Sequence, residues 1–97
     1  MSELLLKDPG SITDFRIDWG TAFLGDGEAV TSSSWEIFPV EPPGGLVVDN
    51  EPPFTATDTT VFISGGIAGH LYQLTNRITT DQGRTDERSF IIRMAEK

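Results

Sequence analysis

The sequence predicts an all-β protein, an antiparallel sandwich of six to seven strands in a single domain. Three observations carry this reading. Apolar and polar residues alternate with period two in several short runs. Turn signals rich in Gly, Pro and Asp separate those runs, roughly every eight to twelve residues, as sandwiches require. No run of helical periodicity is longer than a turn, so little or no helix is expected.

Phe15, Ile17 and Trp19 alternate with Arg16 and Asp18, a half-buried strand that "LGDGEA" ends with two glycines around Asp26. The stretch "VTSSSWEIF" from Val30 to Phe38 puts Val30 and Ser32 on one face, but Trp35 and Ile37 on the other. A continuous strand cannot bury both sets, so a bulge near Ser33–Ser34 is expected. Residues 39–53 hold five of the six prolines. Proline lacks the amide donor of a central strand, so only a short strand at Leu46–Val48 fits there, the rest being exposed loop. "TTVFIS" (59–64) is a further strand, with Val61 and Ile63 on one face, closed by Gly65-Gly66.

Residues 71–80 and 85–94 alternate on either side of Asp81-Gln82-Gly83-Arg84. They read as one long antiparallel hairpin. Gly83 is the structural residue of its turn, placed where a type I turn with a glycine bulge needs a positive φ. The charged tip follows from turn chemistry and needs no catalysis to explain it.

Ninety-seven residues without cysteine leave neither disulfides nor thiolate metal sites. "MSELLLKDPG" is too short and too acidic for a signal peptide, and no apolar run approaches the ~20 residues of a membrane span. The expectation is a soluble chain made in the cytoplasm, without membrane contact. The net charge of −8 is uneven: residues 1–76 hold eleven acids against Lys7 and Arg16, while residues 77–97 hold five bases against four acids. Those bases are interleaved with Asp81, Asp86 and Glu87, so the uncompensated cations that nucleic acid requires are missing.

A search for chemistry finds no cofactor site and no catalytic set. His70 follows a glycine turn and opens a strand, which makes a surface position more natural than a relay. "SGGIAG" follows a strand as a dinucleotide loop does, but the next residues alternate like a strand, not the helix that motif needs. Asp26 and Glu28 offer oxygen ligands without the further donors a calcium loop requires. Asp14, Arg16 and Asp18 share one strand face and read as solvated surface. Trp19 and Trp35 read as core, with an exposed aromatic anchor as the alternative.

Three segments, "SELLLKDPGSITDFRIDW", "AVTSSSWEI" and "SGGIAGHLYQLTNRITTDQGRTDERSFIIRM", resemble a family of small phage proteins. These are encoded among tail and neck genes and described as fiber–tail adaptor or head–tail junction proteins. The resemblance covers most of the chain; residues 38–58 depart by extra proline-rich length. It implies an immunoglobulin-like sandwich and a non-enzymatic virion structural protein. It also implies partners among tail, neck or fiber components and several copies in a symmetric assembly. A capsid decoration protein and a carbohydrate- or receptor-binding immunoglobulin-like module are the alternatives. Two candidate contact regions follow. Pro42, Pro43, Pro52 and Pro53 would mark an exposed docking segment, because a restricted backbone loses little entropy on binding. Consecutive Leu4, Leu5 and Leu6 cannot all face one core. Either Leu5 is tolerated at the surface of a first strand, or residues 1–10 form an arm that adds to a neighbour's sheet edge, hinged at Pro9-Gly10, with residues 11–97 as the domain.

Overall fold

The computed structural model describes residues 2–41 and 43–95, and the side chains at 2–4 and 22 lie outside that description. The described residues form seven strands and one helical turn: β1 (Ser2–Lys7), β2 (Thr13–Asp18), α1 (Trp19–Ala22), β3 (Val30–Phe38), β4 (Val47–Asn50), β5 (Asp58–Ser64), β6 (Leu71–Thr80) and β7 (Thr85–Met94). One sheet has the order β1-β7-β6-β3 and the other β2-β5-β4. The expected all-β sandwich is therefore present. Its one parallel pair, β1 with β7, could not be seen in the alternation. Period two reports which face a side chain takes and says nothing about which strand lies beside it.

The hairpin sets the core. Tyr72, Leu74 and Ile78 of β6 and Phe90, Ile92 and Met94 of β7 point inward, against Ile17 of β2 and Val61 and Ile63 of β5. Phe15 stacks on Phe90 across the two layers, with ring centroids 6.5 Å apart. Each such side chain contributes about 1.5–3 kcal/mol by leaving water. The turn closes as expected: Gly83 N donates to Thr80 O at 3.1 Å, Thr80 N donates to Arg84 O at 2.8 Å, and Gly83 has φ 76°.

A buried polar cluster pins the layers together. The Trp19 indole Nε1 donates to Thr59 Oγ1 and Asn76 Oδ1, both at 3.0 Å, and the Thr59 hydroxyl donates to Asn76 Oδ1 at 2.6 Å. Asn76 Nδ2 donates in turn to Ser33 Oγ at 3.0 Å and Ser34 O at 2.9 Å. One amide on β6 thus links α1, β5 and β3, and a fully satisfied network of this kind fixes how two sheets register.

Four expectations need correction. Trp19 begins a helical turn and does not end β2, because Asp18 caps that turn by accepting from Thr21 N at 3.2 Å and Thr21 Oγ1 at 2.8 Å. The bulge in β3 falls at Thr31, between the pairs Val30–Thr80 and Ser32–Thr79, and not at Ser33–Ser34. Any single extra residue between Val30 and Trp35 reconciles their faces. Val30 N is already bonded to Ala56 O at 2.9 Å, outside the ladder, which places the irregularity at the strand's start.

The N-terminal segment is not a separate arm in this structure. Residues 2–7 form β1, the edge strand of the four-stranded sheet. Leu5 is half-buried against the core, and Leu6 points outward, 71% exposed. Lys7 explains the attachment: its buried ammonium donates to the carbonyls of Asp8, Ser11 and Gly65 at 3.0, 2.6 and 2.9 Å, and its own carbonyl accepts from Ala95 N at 2.7 Å. Finally, the short strand expected at Leu46–Val48 is present as β4, shifted to Val47–Asn50 and paired with β5, but the segment around it is not all exposed: Leu46 is core and Gly45 is buried.

Candidate docking surface

The charged hairpin tip is a staple. Arg84 Nε donates to Glu28 Oε2 at 2.9 Å and Nη2 to Glu28 Oε1 at 2.6 Å, a two-pronged pair. Gly25 N at 2.9 Å and the Thr80 hydroxyl at 2.6 Å complete the carboxylate's partners. The Arg84 hydrogen bonds foremost, then those of Gly25 and Thr80, hold Glu28 at about 2, far below the usual carboxylate range. The guanidinium also lies 4.2 Å from the Phe23 ring centroid. Glu28, read in the sequence as a calcium ligand candidate, is thus committed to the arginine. Among the described residues no three His, Cys, Asp or Glu side chains converge as a metal site would need. Arg16 on β2 likewise pairs with Asp58 on β5, as a solvated polar surface should.

The opposite end of the sandwich is different. Strand register gathers Leu6 at the end of β1, Phe38 at the end of β3, Val47 at the start of β4 and Leu71 at the start of β6 at this one pole. Ile12, just before β2, and Val40, just after β3, join them. All six are exposed, Phe38 to 72% and Val40 to 76%. Bared large apolar side chains gathered at one end of a small domain mark an interaction surface more than solitary exposure would, with Leu6, Phe38 and Leu71 on the outer face of the four-stranded sheet and Val47 on the other sheet.

The loop carrying Val40 is held firmly. Glu41 accepts from His70 Nδ1 at 3.1 Å, Gly45 N donates to Glu41 O at 2.9 Å, and Gly66 N donates to Gly44 O at 3.0 Å. The buried Tyr72 hydroxyl, more than His70, pulls the Glu41 carboxyl below its ordinary range, and burial pushes Tyr72 up. Ile67 N donates to the same hydroxyl at 3.1 Å. His70 is therefore a surface residue, as the sequence suggested, with a structural partner it did not reveal.

The proline candidates separate. Pro43 is exposed at the apolar pole. Pro52 and Pro53 lie beyond β4, on a stretch running towards the other end, where Thr55 N bonds Asp58 O at 3.0 Å. Pro42 and the side chain of Leu4 lie outside the described residues. Leu5 turns inward, so of Leu5 and Leu6 it is Leu6 that is open to a partner. Trp19 and Trp35 are both buried, and neither offers an aromatic platform. Phe38 and Leu71 went unremarked in the sequence, yet a signal existed. Alternation places Phe38 beside Glu36, and Leu71 beside Gln73, on faces that are otherwise polar.

Between the two ends, the outer face of the four-stranded sheet holds a shallow groove of about 200 Å³, lined by Ser34, Glu36, Gln73, Thr75, Arg77, Glu87 and Ser89. It is polar, and Arg77 and Glu87 pair across it at 3.5 Å.

Comparison with known proteins agrees with this architecture. The solution structure of the PKD domain from KIAA 1837 protein superposes with a TM-score of 0.58 at 16% identity, covering 99% of this chain and 81% of that one. That likeness establishes an immunoglobulin-like fold. No curated protein matches the sequence. A family model described as podophage GP4 fiber-tail adaptor protein gp77 matches residues 7–93, from the buried Lys7 to the last outward residue of β7. The chain belongs to the podophage GP4 fiber-tail adaptor protein gp77 family.

Proposed function

We propose that this protein is a non-enzymatic structural part of a phage particle, an adaptor that joins a fiber component to the tail. Family membership supports the role, and the apolar pole supplies the observation that carries it. An adaptor must hold at least one partner through surface it leaves open as a free domain. The bared side chains at the pole, most of them at strand ends and Val40 on a loop pinned by His70 and two backbone hydrogen bonds, form a pre-ordered contact that loses little entropy on docking. The best-organised polar groups among the described residues, Glu28–Arg84 and Trp19–Thr59–Asn76, are saturated by one another, which fits a structural role for them.

The test is a Phe38→Asp/Val40→Asp double variant supplied to phage lacking the wild-type gene. Both positions are exposed, so the melting temperature should stay within a few degrees of the parent, surface changes usually costing about 0.5 kcal/mol or less. Particles should assemble without fibers, as seen by electron microscopy, and the variant should be missing from them by immunoblot. Fibered particles that carry the variant at normal level would overturn this docking surface. Labelled protein found on the capsid and not on the tail would favour a decoration role instead.

A further inference from the structure

We infer that the outer face of the β1-β7-β6-β3 sheet is where two copies of this chain meet. The meeting is face to face, about a two-fold axis running along the strands between β6 and β7. Charge is the first argument. The chain carries −8, so two copies repel over most orientations. On this outer face Arg77 and Arg93 stand against Glu36 and Glu87, so the face is neutral. It is also partly apolar, with Leu6, Phe38 and Leu71 exposed on it.

Register supplies the operator. Outward residues of β6 and β7 sit opposite one another in the rows Leu71–Arg93, Gln73–Ile91, Thr75–Ser89, Arg77–Glu87 and Thr79–Thr85. A two-fold axis along the strands lays each β6 residue over its row partner on the second copy. Arg77 then meets Glu87, and Glu87 meets Arg77, giving two cross-copy ion pairs around the existing 3.5 Å pair and no contact between like charges. Hydroxyls meet hydroxyls in two further rows. The other in-plane axis, across the strands, would lay Ile91 over Glu87 and Gln73 over Arg77, desolvating charges without pairing them. An isologous interface must complement itself: the first arrangement pairs Arg77 with Glu87 twice, while laying the Arg93 stem over Leu71, and the second pairs no charges at all.

Size sets the strength. Four strands spaced ~4.8 Å apart and about ten residues of ~3.3 Å rise span on the order of 600 Å² per copy, below the roughly 800 Å² of a standard interface. The pair should therefore be weak in dilute solution and reinforced when copies are held together on a particle.

The face shares Leu6, Phe38 and Leu71 with the apolar pole, but the purified chain alone tests this with no fiber or tail present, so failure here leaves the adaptor reading standing. Sedimentation velocity of the wild type should show a monomer passing to a dimer between roughly 1 μM and 1 mM, the range in which a small interface reports. Arg77→Glu places acid against acid twice and should weaken association at least tenfold; Arg77→Glu/Glu87→Arg should restore it. Leu71→Asp should weaken it as well. Melting curves at dilute, monomeric concentration verify that each variant is folded. A wild type that stays monomeric throughout would overturn the proposal and leave the face to a different virion protein. Variants that dimerise like the parent, or a double swap that restores nothing, would overturn it too.

Discussion

Single residues in this domain act mainly as fasteners, and Gly83 shows how far one of them can be read in advance. The turn needs a left-handed residue after Gln82, and Gly83 has φ 76° with nothing within 4 Å of where a Cβ would sit. The demand is conformational and not steric, which separates two substitutions of similar bulk. Gly83→Val should cost about 1–3 kcal/mol, since a β-branched residue at positive φ is strongly disfavoured. Gly83→Asn should cost clearly less, because Asn tolerates that region. In a domain this small each kcal/mol moves the melting temperature by about 4–8 °C, so calorimetry resolves the difference. Equal melting of the two variants would mean that the backbone geometry is not what Gly83 provides. Arg84, its neighbour, was legible as charged but not as the partner of Glu28, fifty-six positions away. Nothing local to "GDGE" or "GRTD" encodes that meeting; it follows from the packing of the 24–29 loop on the hairpin end.

At the scale of elements, what could be read depended on whether a signal was local. β6 and β7 were legible almost to the residue, because alternation and turn chemistry are both short-range. The bulge in β3 was legible as a necessity and misplaced by about two residues, since only its parity is written in the sequence. β1 was the case left open. Three consecutive leucines allowed either a first strand or an arm; the segment is a strand in which Leu5 faces in, Leu6 faces out, and Lys7 is buried by capping three carbonyls. A lysine at an inward position looks like a break in the pattern until those carbonyls are known. The same contacts predict how the sheet opens. β6 is flanked on both sides, whereas β1 is an edge strand held by β7 alone and anchored at its Lys7 end. Hydrogen exchange should therefore find β6 amides slower than those near Ser2 by roughly a hundredfold or more, the ratio that ~2.8 kcal/mol of opening free energy makes. Within β1, protection should rise towards Lys7. Uniform protection across β1 and β6 would show that the edge strand opens only with the whole domain.

For the whole molecule, the apolar pole was only half legible: Pro43 was picked out for its restricted backbone, while Phe38, Val40 and Leu71 become a cluster only once β1, β3, β6 and the loop after β3 end at the same place. Charge is the other property that belongs to the molecule, and its pH dependence follows from the carboxyls that the fold holds below their ordinary range. Glu28 is the clearest case. Its carboxyl is held at about 2 in the folded chain against an ordinary 4.5, so the unfolded chain binds its proton first as pH falls. Its contribution is fully present above 4.5 and is lost between 4.5 and about 2. Asp18, lowered by the Thr21 hydroxyl, and Glu41, lowered by the Tyr72 hydroxyl, add losses of the same sign below their ordinary values of 3.8 and 4.5. The melting temperature should accordingly change little between neutral pH and 4.5 and fall steeply below it. Glu28→Gln isolates the staple: less stable than the parent at neutral pH, it should converge on the parent as pH drops from 4.5 towards 2, because protonation removes from the parent the charge the variant already lacks. Circular dichroism melts across that range measure the gap directly. Parallel curves for parent and variant down to pH 2 would show that the Glu28–Arg84 pair is not what acid dissolves.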